Sequence, residues 1–429
     1  MSEPAPAARP AGGHDLDLFP DTARLEHGRL TIGGLTAAEL VDRHGSPLLV
    51  YDEATLRARA RAYREAAPEA LVCYGTKAFP NVALLRLLAE EGIGADVSTL
   101  GELRFAEQAG IAGERLVVHG NNKSDEELAA AAALGSLVVV DSLEEVDRAR
   151  TAGIERTLIR FTPGIEANTH EAIRTAHHGS KFGLPASDVI EALRRAPETE
   201  GLHVHIGSQL LDLDAAVMAV DLLATFCARA RAETGWEPKA IDLGGGLGVR
   251  TAPDDPEVEI ADFVRAVLGE LEHAFTLEQL PLPRVILEPG RSLVARAGVT
   301  LYTVGSVKRV GGATTYVAVD GGMSDNPRPA LYGARYTARL ANRADEPAAG
   351  AYAIAGKHCE SGDVLIDRVD LPEPHRGDLL AVPSTGGYTL AMSSNYNALP
   401  RPAAVLVSNG ESRVIRRRET IDDLLALED

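Results

Sequence analysis

Eight short β-branched runs follow one another between residues 71 and 291, and most end in a small or polar residue before a helical pattern begins. They are "LVCYGTK" (71–77), "GADVST" (94–99), "LVVHGN" (116–121), "LVVVDS" (137–142), "LIRFTP" (158–163), "GLHVHIGS" (201–208), "AIDLGGG" (240–246) and "RVILEPGR" (284–291). Between them lie amphipathic stretches such as "NVALLRLLAEEG" and "SDEELAAAAALG", the second opened by Ser124 and Asp125 as N-cap and first-turn residues. Strand alternating with helix predicts a parallel sheet. Eight such units within about 220 residues predict closure into a (β/α)8 barrel, with an open doubly wound sheet as the competing arrangement.

The texture changes after residue 300. "VTLYTVGSVKRVGG", "TTYVAVDGG", "AYAIAG", "DVLIDRVDL", "DLLAVPS" and "AAVLVSNGESRVIRR" are strands parted by Gly, Asp and Pro turns, with no long helical pattern before "TIDDLLALE". This predicts a second, mainly antiparallel β domain. The early "RLEHGRLTIGG" has hairpin character and is expected to join it. The expected organisation is a disordered Ala/Pro/Gly tail over 1–20, an N-terminal segment of the β domain over 21–45, the barrel over 46–300 and the C-terminal β domain over 301–429.

A formal charge of -19 argues against nucleic acid or an anionic membrane as a partner. The start of the chain lacks the basic and apolar regions of a signal peptide, and no apolar run is long enough to span a membrane. Cys73, Cys227 and Cys359 show no paired spacing, which suits a reducing compartment. A cytoplasmic protein is expected.

Function in an α/β barrel collects where strands run into the loops that follow them. Those positions hold Lys77, Ser98, Asn121, Asp141, His205, Ser208, Gly244–Gly246, Glu288 and Arg291. Each has an ordinary explanation alone: a solvated lysine, a tight turn, a surface ion pair. His203 and His205 alternate on one strand face, which could suit a metal, or could be two core histidines. The set as a whole has one chemistry in common. A lysine amine can condense with an aldehyde cofactor, and glycine-rich backbone can hold a phosphate. A carboxylate can keep a pyridine nitrogen protonated, and a histidine can stack on the ring. That combination describes pyridoxal 5′-phosphate.

With "YGTKAF", "HGNNKS", "KFG", "HVHIGSQ", "DLGGGLG", "EPGRSLVARAG", "DNPRPALYGA", "CESGD" and "MSSNYNALPRPA" in this order, the chain closely resembles the diaminopimelate decarboxylases, of the alanine-racemase-like fold type III group. Only the first twenty or so residues fall outside. The resemblance implies a barrel plus a β domain, pyridoxal phosphate and no metal. It makes Lys77 the cofactor lysine, with His205 stacked on the ring and Ser208 near the phosphate. Gly245 and Gly246, with the backbone of "EPGR" including Gly290, hold the phosphate, and Glu288 meets the pyridine nitrogen. Tyr388 reaches cofactor and substrate. Arg291, Arg328 and Tyr332 contact the distal carboxylate of the substrate, and Glu360 its distal ammonium. Gly75 and Gly387 stand where alanine is common, beside functional residues.

A substrate with an amino acid group at each end needs cations for its far carboxylate and an anion for its far ammonium. Relatives that act on lysine, ornithine or arginine typically carry "CDG", whereas this chain has "CESGD". Cys359, with Glu360 beside it and Asp363 nearby, is expected to stay a thiol and so to be able to return a proton to Cα. The resemblance also implies a two-fold dimer in which Cys359 and Glu360 serve the site of the other subunit's Lys77. Three alternatives stand beside this reading. One is a metal hydrolase using His203, His205 and His177 or His178; another is a non-catalytic binding homologue. The third is a same-family decarboxylase acting on a carrier-bound or otherwise modified amino acid.

Overall fold

The computed structural model describes residues 15–163, 181–205, 207–311 and 314–428. All eight predicted runs form strands of one closed parallel barrel: Leu71–Gly75, Gly94–Val97, Leu116–Val118, Leu137–Val140, Arg156–Arg160, Gly201–His203, Ala240–Asp242 and Arg284–Leu287. Neighbours in sequence are neighbours in the barrel, and the last strand closes on the first through Ile286 opposite Leu71 and Leu287 opposite Val72. The open sheet is thereby excluded. Cys73, Val117, Leu137, Val139, Leu158, Ala240 and Ile286 pack together as an apolar cluster of strand residues. Helices cover the outside, and their starts are chemically fixed. Ser124 accepts the Glu127 N–H at 3.1 Å while the Glu127 carboxylate accepts the Ser124 N–H at 2.8 Å, a reciprocal cap that fills two otherwise orphaned donors.

The second domain is built on a nine-stranded, largely antiparallel sheet. Its long strand Gly298–Val310 has an irregular register between Val304 and Val307. Before that point it pairs with Leu48–Asp52 and Leu379–Val382, and after it with Thr314–Val319. Leu48–Asp52 falls inside the stretch expected to be barrel, yet it lies between Gly298–Val310 and Ala403–Ser408, parallel to the latter. Its five residues are all buried, which only a strand covered on both faces achieves. The hairpin Arg24–Ile32 makes a small sheet of its own with Leu35–Thr36. It joins the β domain by packing: Leu30, Ile32 and Leu35 share a core with Leu48, Val50, Val299, Leu301 and Val405. Leu18 and Phe19, inside the expected tail, are buried as well; residues 1–14 of that tail lie outside the described residues. Among the described residues no helix is long and apolar enough to cross a membrane.

Candidate active site

Lys77 sits in the turn Thr76–Ala78 that ends the first barrel strand. The Thr76 hydroxyl donates to the Asp96 carbonyl at 2.7 Å and ties this turn to the second strand. The Lys77 Nζ stands 3.7 Å from Asp96 Oδ2, with the lysine side chain about half exposed and the aspartate buried. The Asp96 charge outweighs burial and holds the Lys77 ammonium well above its ordinary range.

Glu288, just beyond the last barrel strand, is buried, and its N–H donates to the Gly244 carbonyl at 2.7 Å. Its Oε1 lies 2.5 Å from His119 Nε2 and its Oε2 3.6 Å from His203 Nε2. Burial alone would raise its pKa, but His119 and His203 more than offset that and hold the carboxyl well below its usual range. Asp242 beside it goes the other way, pushed up by burial and by the Glu288 charge. The pair is thus split, with Glu288 shifted toward its charged form and Asp242 toward its neutral one.

His205 lies in the loop after Gly201–His203, with Nε2 3.4 Å from the Ser208 hydroxyl. Burial, then the Lys77 charge, pushes its pKa down to about 3, so its ring is neutral near pH 7. The expected alternation of His203 with His205 breaks because the strand stops at His203. His203 instead joins His119, Asp242 and Glu288, whose ligand-type atoms lie within 4.8 Å of one another. Within this group His119 and Glu288 are in direct hydrogen-bond contact. His177 and His178 lie outside the described residues.

The glycine run is shaped by contact. A Cβ on Gly245 would come 2.3 Å from the Glu288 carbonyl oxygen, and Gly246 has φ +129° with the Gly207 carbonyl 2.9 Å from any Cβ. Bare backbone is the only solution there. A Cβ on Gly290 would press on the Tyr388 hydroxyl at 3.1 Å. Alanine at Gly75 or Gly387 would make ordinary contacts from 3.4 Å, so these two departures leave the site intact.

Tyr388 couples the domains. It holds φ +62°, and its N–H donates to the Ala78 carbonyl at 2.8 Å, directly behind Lys77. The Arg291 guanidinium stands 4.6 Å from its ring centroid and that of Arg328 5.8 Å. Burial, then the charge of Arg328, lowers the Arg291 pKa, so the two cations repel and favour an anion between them. Arg328 Nε is buried without a hydrogen-bond partner. Tyr332 also lies by Arg328, at 5.6 Å, but is largely exposed. The buried Tyr336, which sequence reasoning missed, lies in the field of both arginines.

Cys359 and Glu360 occupy an exposed loop of the β domain. The Cys359 N–H donates to Asn397 Oδ1 at 2.9 Å, joining this loop to "SSNYN". Asp363 was expected to act as an acidic neighbour of the thiol, but it is buried. Its Oδ2 is 2.7 Å from His358 Nδ1 and its Oδ1 accepts the Met323 N–H at 2.7 Å. Among the described residues, neither the Cys359 nor the Glu360 side chain hydrogen-bonds to a barrel residue.

A barrel-mouth lysine, a bare-glycine cradle and a buried ionised carboxylate fit pyridoxal phosphate, whose aldehyde, phosphate and ring nitrogen need those three partners. Fold and site define a pyridoxal-dependent decarboxylase: residues 53–295 match the family model for the pyridoxal binding domain of such enzymes. The chain is 46% identical over 96% of its length to the diaminopimelate decarboxylase of Actinosynnema pretiosum subsp. auranticum and 43% identical over 94% to that of Bacillus subtilis, covering 96% of each relative. It superposes on the crystal structure of diaminopimelate decarboxylase from M. jannaschii with a TM-score of 0.90 at 34% identity, over 95% of this chain and 98% of that one. The same enzyme in co-complex with L-lysine also gives 0.90, at 33% identity and the same coverage. The chain belongs to the diaminopimelate decarboxylase family.

Proposed function

We infer that this protein decarboxylates meso-2,6-diaminopimelate to L-lysine and CO₂, the last step of lysine biosynthesis, with pyridoxal 5′-phosphate as cofactor. The observation that carries the substrate is the Arg291–Tyr388–Arg328 stack with its unpartnered, buried Arg328 Nε, anchored one backbone hydrogen bond from the Lys77 turn. Two cations with an unmet donor between them suit a second carboxylate.

When bound, the cofactor supplies an aldehyde and an electron-withdrawing ring. Lys77 provides the amine for that aldehyde. The neutral ring of His205 stacks on the cofactor, and Ser208, Gly245, Gly246 and Gly290 receive the phosphate. Glu288 answers the ring nitrogen, and Tyr388 borders both cofactor and substrate. Arg291, Arg328 and Tyr332 bind the distal carboxylate, Glu360 the distal ammonium, and Cys359 returns a proton to Cα after CO₂ leaves. Cys359 and Glu360 serve a homodimer in which each β domain covers the barrel that holds the partner's Lys77, a reading that their exposure on the β domain supports. Two of the three cysteines are buried and none is disulfide-bonded, which supports work in the cytoplasm.

The test is turnover of purified protein with meso-diaminopimelate, L-lysine, L-ornithine and L-arginine. CO₂ and L-lysine are expected from the first alone; preference for any of the others, or turnover of none, overturns the substrate assignment.

A further inference from the structure

His119 touches neither the phosphate cradle nor the arginine stack, yet it is buried among acids at the barrel mouth. It follows the third barrel strand, and its N–H donates to the Val97 carbonyl at 2.8 Å. Its Nε2 is 2.5 Å from Glu288 Oε1 and 3.8 Å from Asp96 Oδ1, the latter with no hydrogen-bond partner. Both neighbours are acceptors, so Nε2 carries the hydrogen. The ring meets that of His203 edge-on, with centroids 4.7 Å apart at 70°.

We propose that His119 is a positioning residue for the cofactor's ring nitrogen: it orients Glu288 and keeps it a carboxylate, so that the proton between Glu288 and that nitrogen stays on the nitrogen. This rests on the reading of the mouth as a pyridoxal phosphate site. A carboxylate that accepts a short hydrogen bond from a buried N–H is a weaker base than a bare one. The other groups facing Glu288 divide by sign. Negative charge on Asp242 or Asp96 would favour its protonation; His203, Arg160 and, across the mouth, Lys77 oppose it. His119 makes the closest of these contacts, 2.5 Å to Oε1 against 3.6 Å from His203 Nε2 to Oε2. Without it, Glu288 would share a buried space with two further acids and tend to take up the proton that the ring needs as electron sink.

The experiment uses apoprotein, two variants and two ligands. H119F removes the donor and keeps an aromatic ring, whereas H119Q places an amide N–H near the position of Nε2. Each is titrated with pyridoxal 5′-phosphate and with its 1-deaza analogue, which has carbon in place of the ring nitrogen but the same aldehyde and phosphate. H119F should lose about tenfold in affinity for the natural cofactor, the scale of one charge-assisted hydrogen bond. Its affinity for the deaza compound should stay within about twofold, and H119Q should recover most of the loss. An equal loss for both ligands would mean that His119 only fills space, and no loss for either would mean that Glu288 does not depend on it. Failure of the unmutated protein to bind pyridoxal 5′-phosphate would instead overturn the cofactor reading on which the proposal rests.

Discussion

The Lys77 ammonium and the buried Asp96 carboxylate face each other at 3.7 Å across the first two barrel strands. Asp96 is the largest influence on this lysine and favours its charged form. An amine must be neutral to attack an aldehyde, so the free protein stores Lys77 in an unreactive but located state. Asp96→Asn should lower the Lys77 pKa. In apoprotein at pH 7, Lys77 should then react several-fold faster with a small amine-directed reagent, followed by peptide mapping. An unchanged rate would show that Asp96 does not govern the amine.

The assignment of the cofactor lysine has a direct check. Borohydride reduction of the holoenzyme, followed by digestion and mass mapping, should place the pyridoxyl group on Lys77. A label on Lys123 or any other lysine would move the site. Lys123 is a poor rival because it is buried and donates to the Gly120 and Val139 carbonyls and to Glu145.

Glu360 should matter only for substrates with a distal ammonium. Glu360→Ala is expected to lower kcat/KM for meso-diaminopimelate by well over about tenfold, the scale of orphaning one partner of a charge pair enclosed on binding. Cofactor affinity should not change. Wild-type turnover in this variant would remove Glu360 from the substrate site.

Shared sites predict complementation. Lys77→Ala and Cys359→Ala should each be nearly inactive alone. Mixed and allowed to exchange subunits, about half of the dimers carry one intact and one doubly broken site, and activity should return to roughly a quarter of wild type. No recovery despite proven exchange would place both residues of a site in one chain.

His205, with its pKa pushed down to about 3 by burial and Lys77, should not titrate between pH 5 and 8, when its ring is followed by NMR and assigned with a His205→Gln variant. The sign for stability follows. The unfolded chain takes up this proton near pH 6.5 and the folded one does not, so this contribution is present above 6.5 and is lost as pH falls toward 3. Wild type should therefore lose more stability than His205→Gln on acidification from pH 7 to 5. Equal losses would indicate a ring already charged in the folded state.

The barrel was legible because each of its strands is a compact apolar run set off by a helical pattern, and the eight runs are its eight strands. Leu48–Asp52 carries the same texture, but its hydrogen-bond partners begin at residues 298 and 403, and nothing local marks such distant pairing. Lys77, Glu288 and the glycine run showed themselves as strand-end residues. Asp96 lies within its strand and His119 directly after its own, whereas the sequence pattern marks Ser98 and Asn121, just beyond each strand, as the turn positions. The signal was present two positions earlier in each case. An acid or histidine in or directly after an apolar barrel strand, as in "GADV", "LVVH" and "AID", is costly to bury without a partner and so marks a built polar cluster. Tyr336 carried no such mark, since its role depends on where two distant arginines meet.

The placing of Leu48–Asp52 has a consequence during synthesis. This strand leaves the ribosome about 350 residues ahead of Ala403–Ser408, which flanks it in the finished sheet. At roughly 5–20 residues per second, it waits on the order of 20 to 70 s with its ladder edge and apolar faces unfilled. By then the barrel strands, with Lys77 and Glu288, have all been made. A nascent chain halted between residues 310 and 358 would own the cofactor cradle but neither Cys359 nor Glu360, and would display a sticky, half-paired strand to the folding machinery of the cell. The same strand order that joins the domains thus makes an unfinished product recognisable as unfinished.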